Sequence, residues 1–211
     1  EIKHPVVREV LRKFGLKHGI EMVHTSDIPA MSGIGSSSSF TVGFLQGIHA
    51  LTGKLTTKRE LAKWAIEIEQ SILKENVGSQ DQVAAAFGGL NRIDFDKTRN
   101  FFVSPVPLSD IKLHELENHL MLFFTRMTRL SSDVSEGHKR NIPSNLKKLC
   151  EMRDLVDEAI DILNTNSSLL EFGKLLDKNW KIKRSFSSSI SNSIIDDYYR
   201  KAKKAGGVGG K

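Results

Sequence analysis

One stretch limits the possible folds of this chain more than any other. Pro29, Ala30, Met31, Ser32, Gly33, Ile34 and Gly35 run into four consecutive serines, Ser36 to Ser39. Before them, Ile20 to His24 alternates apolar and polar residues, as a strand does. After them, residues 37–52 form an apolar segment of helical length. Glycines let the backbone turn where side chains would clash, so that successive N–H groups can face one concavity. The start of the following helix adds unpaired N–H groups and a partial positive charge. A strand–glycine loop–helix unit of this kind is an anion pocket, and the hydroxyls of Ser36, Ser37 and Ser38 could contact a phosphate or ligate Mg2+. The same residues could equally form a flexible turn with a serine N-cap. The loop is not of the Walker type, because no Gly-Lys-Ser/Thr follows. It is not a dinucleotide fingerprint, because the third glycine is missing.

A second pattern lies downstream. Thr57 followed by Glu60 reads as a capping box. The helix it opens runs to about Leu73, with Leu61, Trp64, Ala65, Ile68 and Ile72 on one face. Glu69 stands late on this helix, and Asp81 follows a glycine turn at Gly78. Phosphoryl transfer needs a carboxylate near the attacking hydroxyl and oxygen ligands for Mg2+. Two carboxylates joined by a loop could supply both. Taken alone, Asp81 could instead cap the helix that begins near Gln82, and Glu69 could be a solvent-facing partner of a lysine.

The rest of the chain gives an α+β pattern. His4 to Phe14 reads as a short amphipathic helix. Strands are expected at Gly88–Phe95 and Phe101–Val106, around a turn at Asp96 to Asn100. Leu120 to Thr125 is nearly all apolar, as a buried strand would be. Helices are expected at about residues 144–164, 169–185 and 192–205. A domain boundary is expected near residue 100, giving domains 1–100 and 101–211. On composition, the ending Gly206-Gly-Val-Gly-Gly-Lys211 reads as a disordered tail.

The net charge of +6 suits either nucleic acid or an anionic small substrate. Basic residues are mostly interleaved with acids, and neither zinc-finger spacing nor an RNA-recognition signature is present, so nucleic acid is not the expected partner. No apolar run approaches the roughly 20 residues of a membrane span. A single cysteine, Cys150, excludes an internal disulfide. A cytoplasmic location is the expectation.

Pro29 to Ser38 resembles the second signature of the GHMP kinases, Pro-x-x-x-Gly-Leu-Gly-Ser-Ser, with Ile34 in place of leucine. The ending Ala205 to Lys211 resembles the approach to that family's third signature. The resemblance is closest to the D-glycero-D-manno-heptose 7-phosphate kinases. It extends from His4-Pro-Val-Val-Arg8, through Ser26-Asp-Ile-Pro29 and Gly78-Ser-Gln-Asp-Gln82, to Trp180 and Ser187 to Asn192. The first signature and the end of the third are missing, so the chain resembles a fragment incomplete at both ends.

The resemblance implies a two-lobed fold with the active site between the lobes. The N-terminal lobe would be like a ribosomal-protein domain and the C-terminal lobe ferredoxin-like. It implies ATP and Mg2+ as cofactors, and transfer of a phosphate to O1 of a heptose 7-phosphate. An L-fucose kinase or a non-catalytic ligand sensor of the same fold are the alternatives. By position, Pro29, Ser32, Gly33, Ile34, Gly35, Ser36, Ser37 and Ser38 would surround the nucleotide phosphates. Ser37 and Glu69 would hold Mg2+, and Asp81 would be the catalytic carboxylate. For the sugar phosphate, cationic partners are needed. Arg126 and Arg129 are the candidates, with Lys183 after them.

Overall fold

The computed structural model describes residues 2–17, 19–28, 32–125, 127 and 145–211. Residues up to Ser104, with Met127, make one compact unit. Pro105–Thr125 and the described residues from Asn145 onward make the other.

The first unit opens with α1 (Pro5–Phe14), which begins at a proline and ends where Gly15 takes a left-handed conformation. This is the favoured pairing for helix ends, since proline lacks an N–H that would be unpaired anyway. Helix α2 covers Ser36–Leu51. Helix α3 (Lys58–Ile66) starts at the capping box, with both reciprocal hydrogen bonds of Thr57 and Glu60 formed. It runs directly into a π-helical turn, Glu67–Ile72. Helix α4 is Gln80–Phe87. Strands β1 (Asn91–Phe95) and β2 (Phe101–Pro105) form a two-stranded hairpin.

The main core of this unit joins Val6 and Val10 of α1, Val42, Leu45 and Ile48 of α2, and Leu61 and Ala65 of α3 to Ile68 of the π turn. A second cluster joins Ala62 of α3, Val83 of α4 and Phe101 of β2. Burying each such side chain contributes about 1.5–3 kcal/mol. Because α4 packs on both α2 and α3, these clusters bring three chain segments that are distant in sequence to the N-terminal end of α2.

The second unit contains α5 (Asp110–Asn118), α6 (Leu146–Asn164), α7 (Leu169–Arg184) and α8 (Ser193–Lys204). One cluster is built on Leu116, Leu163 and Leu169, and another on Trp180, Phe186 and Ile190. The glycine-rich ending has a defined course, contrary to the composition. Val208 lies so close to Gly173 of α7 that a methyl group there would come within 2.9 Å of the Val208 Cβ. Lys203 Nζ donates to the Val208 carbonyl at 2.5 Å.

Two expected strands are not formed. Residues 19–26 have no regular secondary structure. Residues 120–125 likewise have no regular secondary structure, and Leu120 to Phe124 are 54–79% exposed rather than buried. Alternation and apolar runs express a preference for burial. A strand also needs a neighbour for its N–H and C=O groups, and that neighbour is not in the local sequence. No helix among the described residues is long and apolar enough to cross a membrane.

Candidate active site

Helix α2 begins at Gly35, whose φ of +77° places it in the left-handed region. No described side chain caps this helix start, and its first turn holds no acidic residue. The first-turn N–H groups are thus left without an internal partner, as an anion site requires. Ser36 is half-buried, Ser37 is exposed and Ser38 is buried.

The hydroxyl of Ser38 turns inward and donates to Glu69 Oε2 at 3.1 Å. The amide Nε2 of Gln82, from α4, donates to the same oxygen. Glu69 and Gln82 are each only 1% exposed. Glu69 is thus not the solvent-facing lysine partner that its helix position also allowed. It sits in the π turn, where Leu73 N bonds to Ile68 O and Glu75 N bonds to Glu69 O, both at 2.8 Å. Such a bulge re-aims side chains and is often found at functional sites. Next to it, Gln70 Nε2 donates to Val77 O at 3.2 Å and Ser79 Oγ at 3.0 Å, which ties down the loop before α4.

Asp81 stands in the first turn of α4 and does not cap it; the N-cap position is Ser79. Its exposed side chain lies against Gly35. A Cβ added at Gly35 would be 3.4 Å from Asp81 Cβ and Cγ and 3.5 Å from Oδ2. A methyl there would make ordinary contact with Asp81, so it is the left-handed φ that calls for glycine at this position.

The two oxygens of Glu69 differ. Oε2 carries both hydrogen bonds, while Oε1 is buried with no partner among the described residues. A desolvated carboxylate is costly unless its charge is balanced, and no described basic side chain pairs with it. Its charge is felt nearby: burial first, and then repulsion from Glu69, raise the pKa of the Glu75 carboxyl. An orphaned carboxylate oxygen beside a helix start bearing the exposed Ser37 hydroxyl fits a small, hard cation. Among the described residues no cluster of three or more His, Cys, Asp or Glu gathers. One carboxylate oxygen and one hydroxyl match the Mg2+ habit of taking one or two protein oxygens plus phosphates and water.

Of the residues expected around a nucleotide, Gly33, Ile34, Gly35, Ser36, Ser37 and Ser38 follow one another at the α2 start, with Ser32 just before them. Glu69 and Asp81 are brought to that start. Ser38 reaches it through Glu69, so its hydroxyl is occupied and only its backbone remains open to a phosphate. Pro29, Arg126 and Arg129 lie outside the described residues. Lys183 belongs to the second unit, half-buried near the C-terminal end of α7. Sequence reasoning missed Gln82. It lay inside the Gly78-Ser-Gln-Asp-Gln82 stretch that carries the resemblance, but nothing there gave it a role.

Residues 2–89, within the first unit, match the family described as GHMP kinases N terminal domain. Over its whole length the chain is 30% identical to a D-glycero-alpha-D-manno-heptose 7-phosphate kinase from Campylobacter jejuni subsp. jejuni serotype O:2, covering 63% of that protein. It is 27% identical to an L-fucokinase/L-fucose-1-P guanylyltransferase from Bacteroides fragilis, over 99% of this chain and 23% of that protein. Among solved structures, a D-glycero-D-manno-heptose 1-phosphate kinase from Bacteroides thetaiotaomicron superposes with a TM-score of 0.73 at 24% identity. That match covers 98% of this chain and 58% of the other. The fold is that of the GHMP kinases, and the chain spans less than two thirds of the length of each of these relatives.

Proposed function

We propose that the chain carries the phosphate- and cation-binding part of an ATP-dependent sugar kinase whose acceptor is a heptose 7-phosphate, giving the 1,7-bisphosphate. One observation carries this reading. The uncapped start of α2, the buried Glu69 carboxylate and Asp81 meet at a single glycine-lined point, which is the set of groups that phosphoryl transfer needs. The similarity to a heptose 7-phosphate kinase supports the acceptor.

In this reading the ATP phosphates lie against the N–H groups of Gly35 to Ser38. Ser37 Oγ and Glu69 Oε1 would hold Mg2+, which when bound neutralises phosphate charge. Asp81 holds the acceptor hydroxyl in line and takes its proton as the new O–P bond forms and the bond to ADP breaks. The gain comes mainly from positioning and charge. Arg126, Arg129 and Lys183 are proposed to bind the sugar's own phosphate, the protein acting in the cytoplasm.

The similarity to a fucokinase supports one other acceptor, L-fucose. That sugar has no phosphate, so the arginines would then be dispensable. ATP consumption by the full-length protein with Mg2+ separates the two, over a panel of heptose 7-phosphate, L-fucose, galactose, mevalonate and homoserine. Turnover confined to heptose 7-phosphate is expected. Turnover with a neutral sugar instead would keep the kinase and remove the proposed acceptor. ATP binding without any turnover would point to a ligand sensor.

A further inference from the structure

Glu69 is held by neutral donors only. Ser38 and Gln82 converge on its Oε2, all three side chains are at least nine-tenths buried, and Oε1 is left without a partner among the described residues. A lysine or arginine in place of Gln82 would have fixed the carboxylate equally well, but would also have cancelled its charge. A primary amide and a hydroxyl fix its orientation and leave the negative charge in place. The opposite end of Gln82 shows that this contact is specific. Its own Oε1 is buried and unpaired among the described residues, so the amide sits here at a cost of about 1–3 kcal/mol that burial of an apolar side chain would not incur.

We infer that Gln82, with Ser38, is a positioning residue that makes Glu69 a one-oxygen cation ligand, locking Oε2 and presenting Oε1. The inference rests on the proposed role of Glu69 in cation binding. It also gives α4 a double function. Asp81 faces Gly35 and the next residue, Gln82, faces Glu69, so one step of a single helix sets the relative placement of both carboxylates. Hydrogen bonds behind a metal ligand commonly control affinity by about 10–100-fold, and the same range is expected here.

The test uses the full-length protein. Mn2+ binding is followed by electron paramagnetic resonance with a non-hydrolysable ATP analogue present. Thermal unfolding is measured without metal, and Mg2+ half-saturation is measured in turnover. Gln82→Met keeps the length and shape but removes both polar ends. It is expected to weaken Mn2+ binding about 10–100-fold and raise the Mg2+ half-saturation to match. Metal-free nucleotide binding should be retained, with a Tm lowered only by the one hydrogen bond lost from the buried carboxylate. Unchanged Mn2+ affinity would overturn the inference. So would a lowered Tm with metal-free nucleotide binding lost in parallel, since that marks a purely structural role.

If Gln82→Met does not fold, Ser38→Ala decides. It removes one hydroxyl from a helix and is expected to weaken Mn2+ binding in the same direction; a folded Ser38→Ala protein with wild-type Mn2+ affinity overturns the proposal. A wild-type protein that binds the nucleotide analogue but never Mn2+ would instead overturn the cation role of Glu69, and the proposed function with it.

Discussion

Asp81 and Glu69 are both carboxylates on helices, yet their surroundings assign them different work. Asp81 is exposed and lies against a glycine. Glu69 is sealed, with one oxygen bonded and one without a partner among the described residues. Asp81→Asn keeps the shape and removes the proposed proton acceptor. Turnover should fall by about 10²–10⁴-fold while nucleotide affinity, measured by calorimetry, stays within a few-fold. Unchanged turnover would take Asp81 out of the reaction.

A second residue-scale prediction concerns His49, which is buried with neither ring nitrogen bonded to a described residue. Its ring packs edge-on against Phe14 and Trp64. Burial, and then the nearby Lys54 charge, lower its pKa from the usual value of 6.5. The unfolded chain therefore binds the proton more readily than the folded one. Stability from this residue is present above about pH 6.5 and is lost as pH falls through that value toward the lower folded pKa. His49→Phe should flatten the pH dependence of urea unfolding between pH 8 and 5, followed by tryptophan fluorescence. An unaltered slope would assign the acid sensitivity elsewhere.

At the scale of elements, the decisive feature is the junction of loop and helix at Gly35. The left-handed φ costs a residue with a side chain about 1–2 kcal/mol. The methyl of Gly35→Ala would also sit in contact with Asp81 at 3.4 Å. The variant should lose stability by about 1 kcal/mol and lose nucleotide affinity more than its folding would explain. Equal affinity at equal folded fraction would show that the loop does not touch the nucleotide. Elements of this kind were legible in the sequence because their signals are local. The proline start of α1, the capping box of α3 and the glycine loop before α2 each follow from residues within one helical turn. Residues 20–24 and 120–125 were misread for the converse reason, since ladder partners lie elsewhere in a chain. The π turn at Glu67–Ile72 was not legible either. It inserts one extra residue into an unbroken helical pattern, and Glu69 lies buried within it.

At the scale of the whole molecule, a glycine tail read as disorder gains a course by docking on a helix. Gly173 would ordinarily weaken α7, and replacing it with alanine should stabilise an isolated helix by about 1 kcal/mol. Here the added methyl meets Val208 Cβ at 2.9 Å and Cγ1 at 3.0 Å, closer than carbon atoms pack, and overpacking costs about 1–3 kcal/mol. The collision should outweigh the propensity gain. Gly173→Ala is therefore expected to speed amide exchange across residues 206–210 without raising the Tm; a raised Tm with unchanged exchange would show that the tail is not held there.

The sequence by itself determined the helices of the first unit and the glycine turn that opens α2, and it offered an anion pocket at residues 29–38 and a pairing of Glu69 with Asp81 as expectations. These are matters of backbone freedom, capping and periodicity, which neighbouring residues settle among themselves. Only the tertiary structure decided that Glu69 faces inward, that Ser38 serves it rather than a phosphate, and that Gln82 is its second anchor. Those contacts join residues from α2, the π turn and α4. Which side chains meet there depends on how the buried faces of three helices pack, and no local stretch of sequence encodes that.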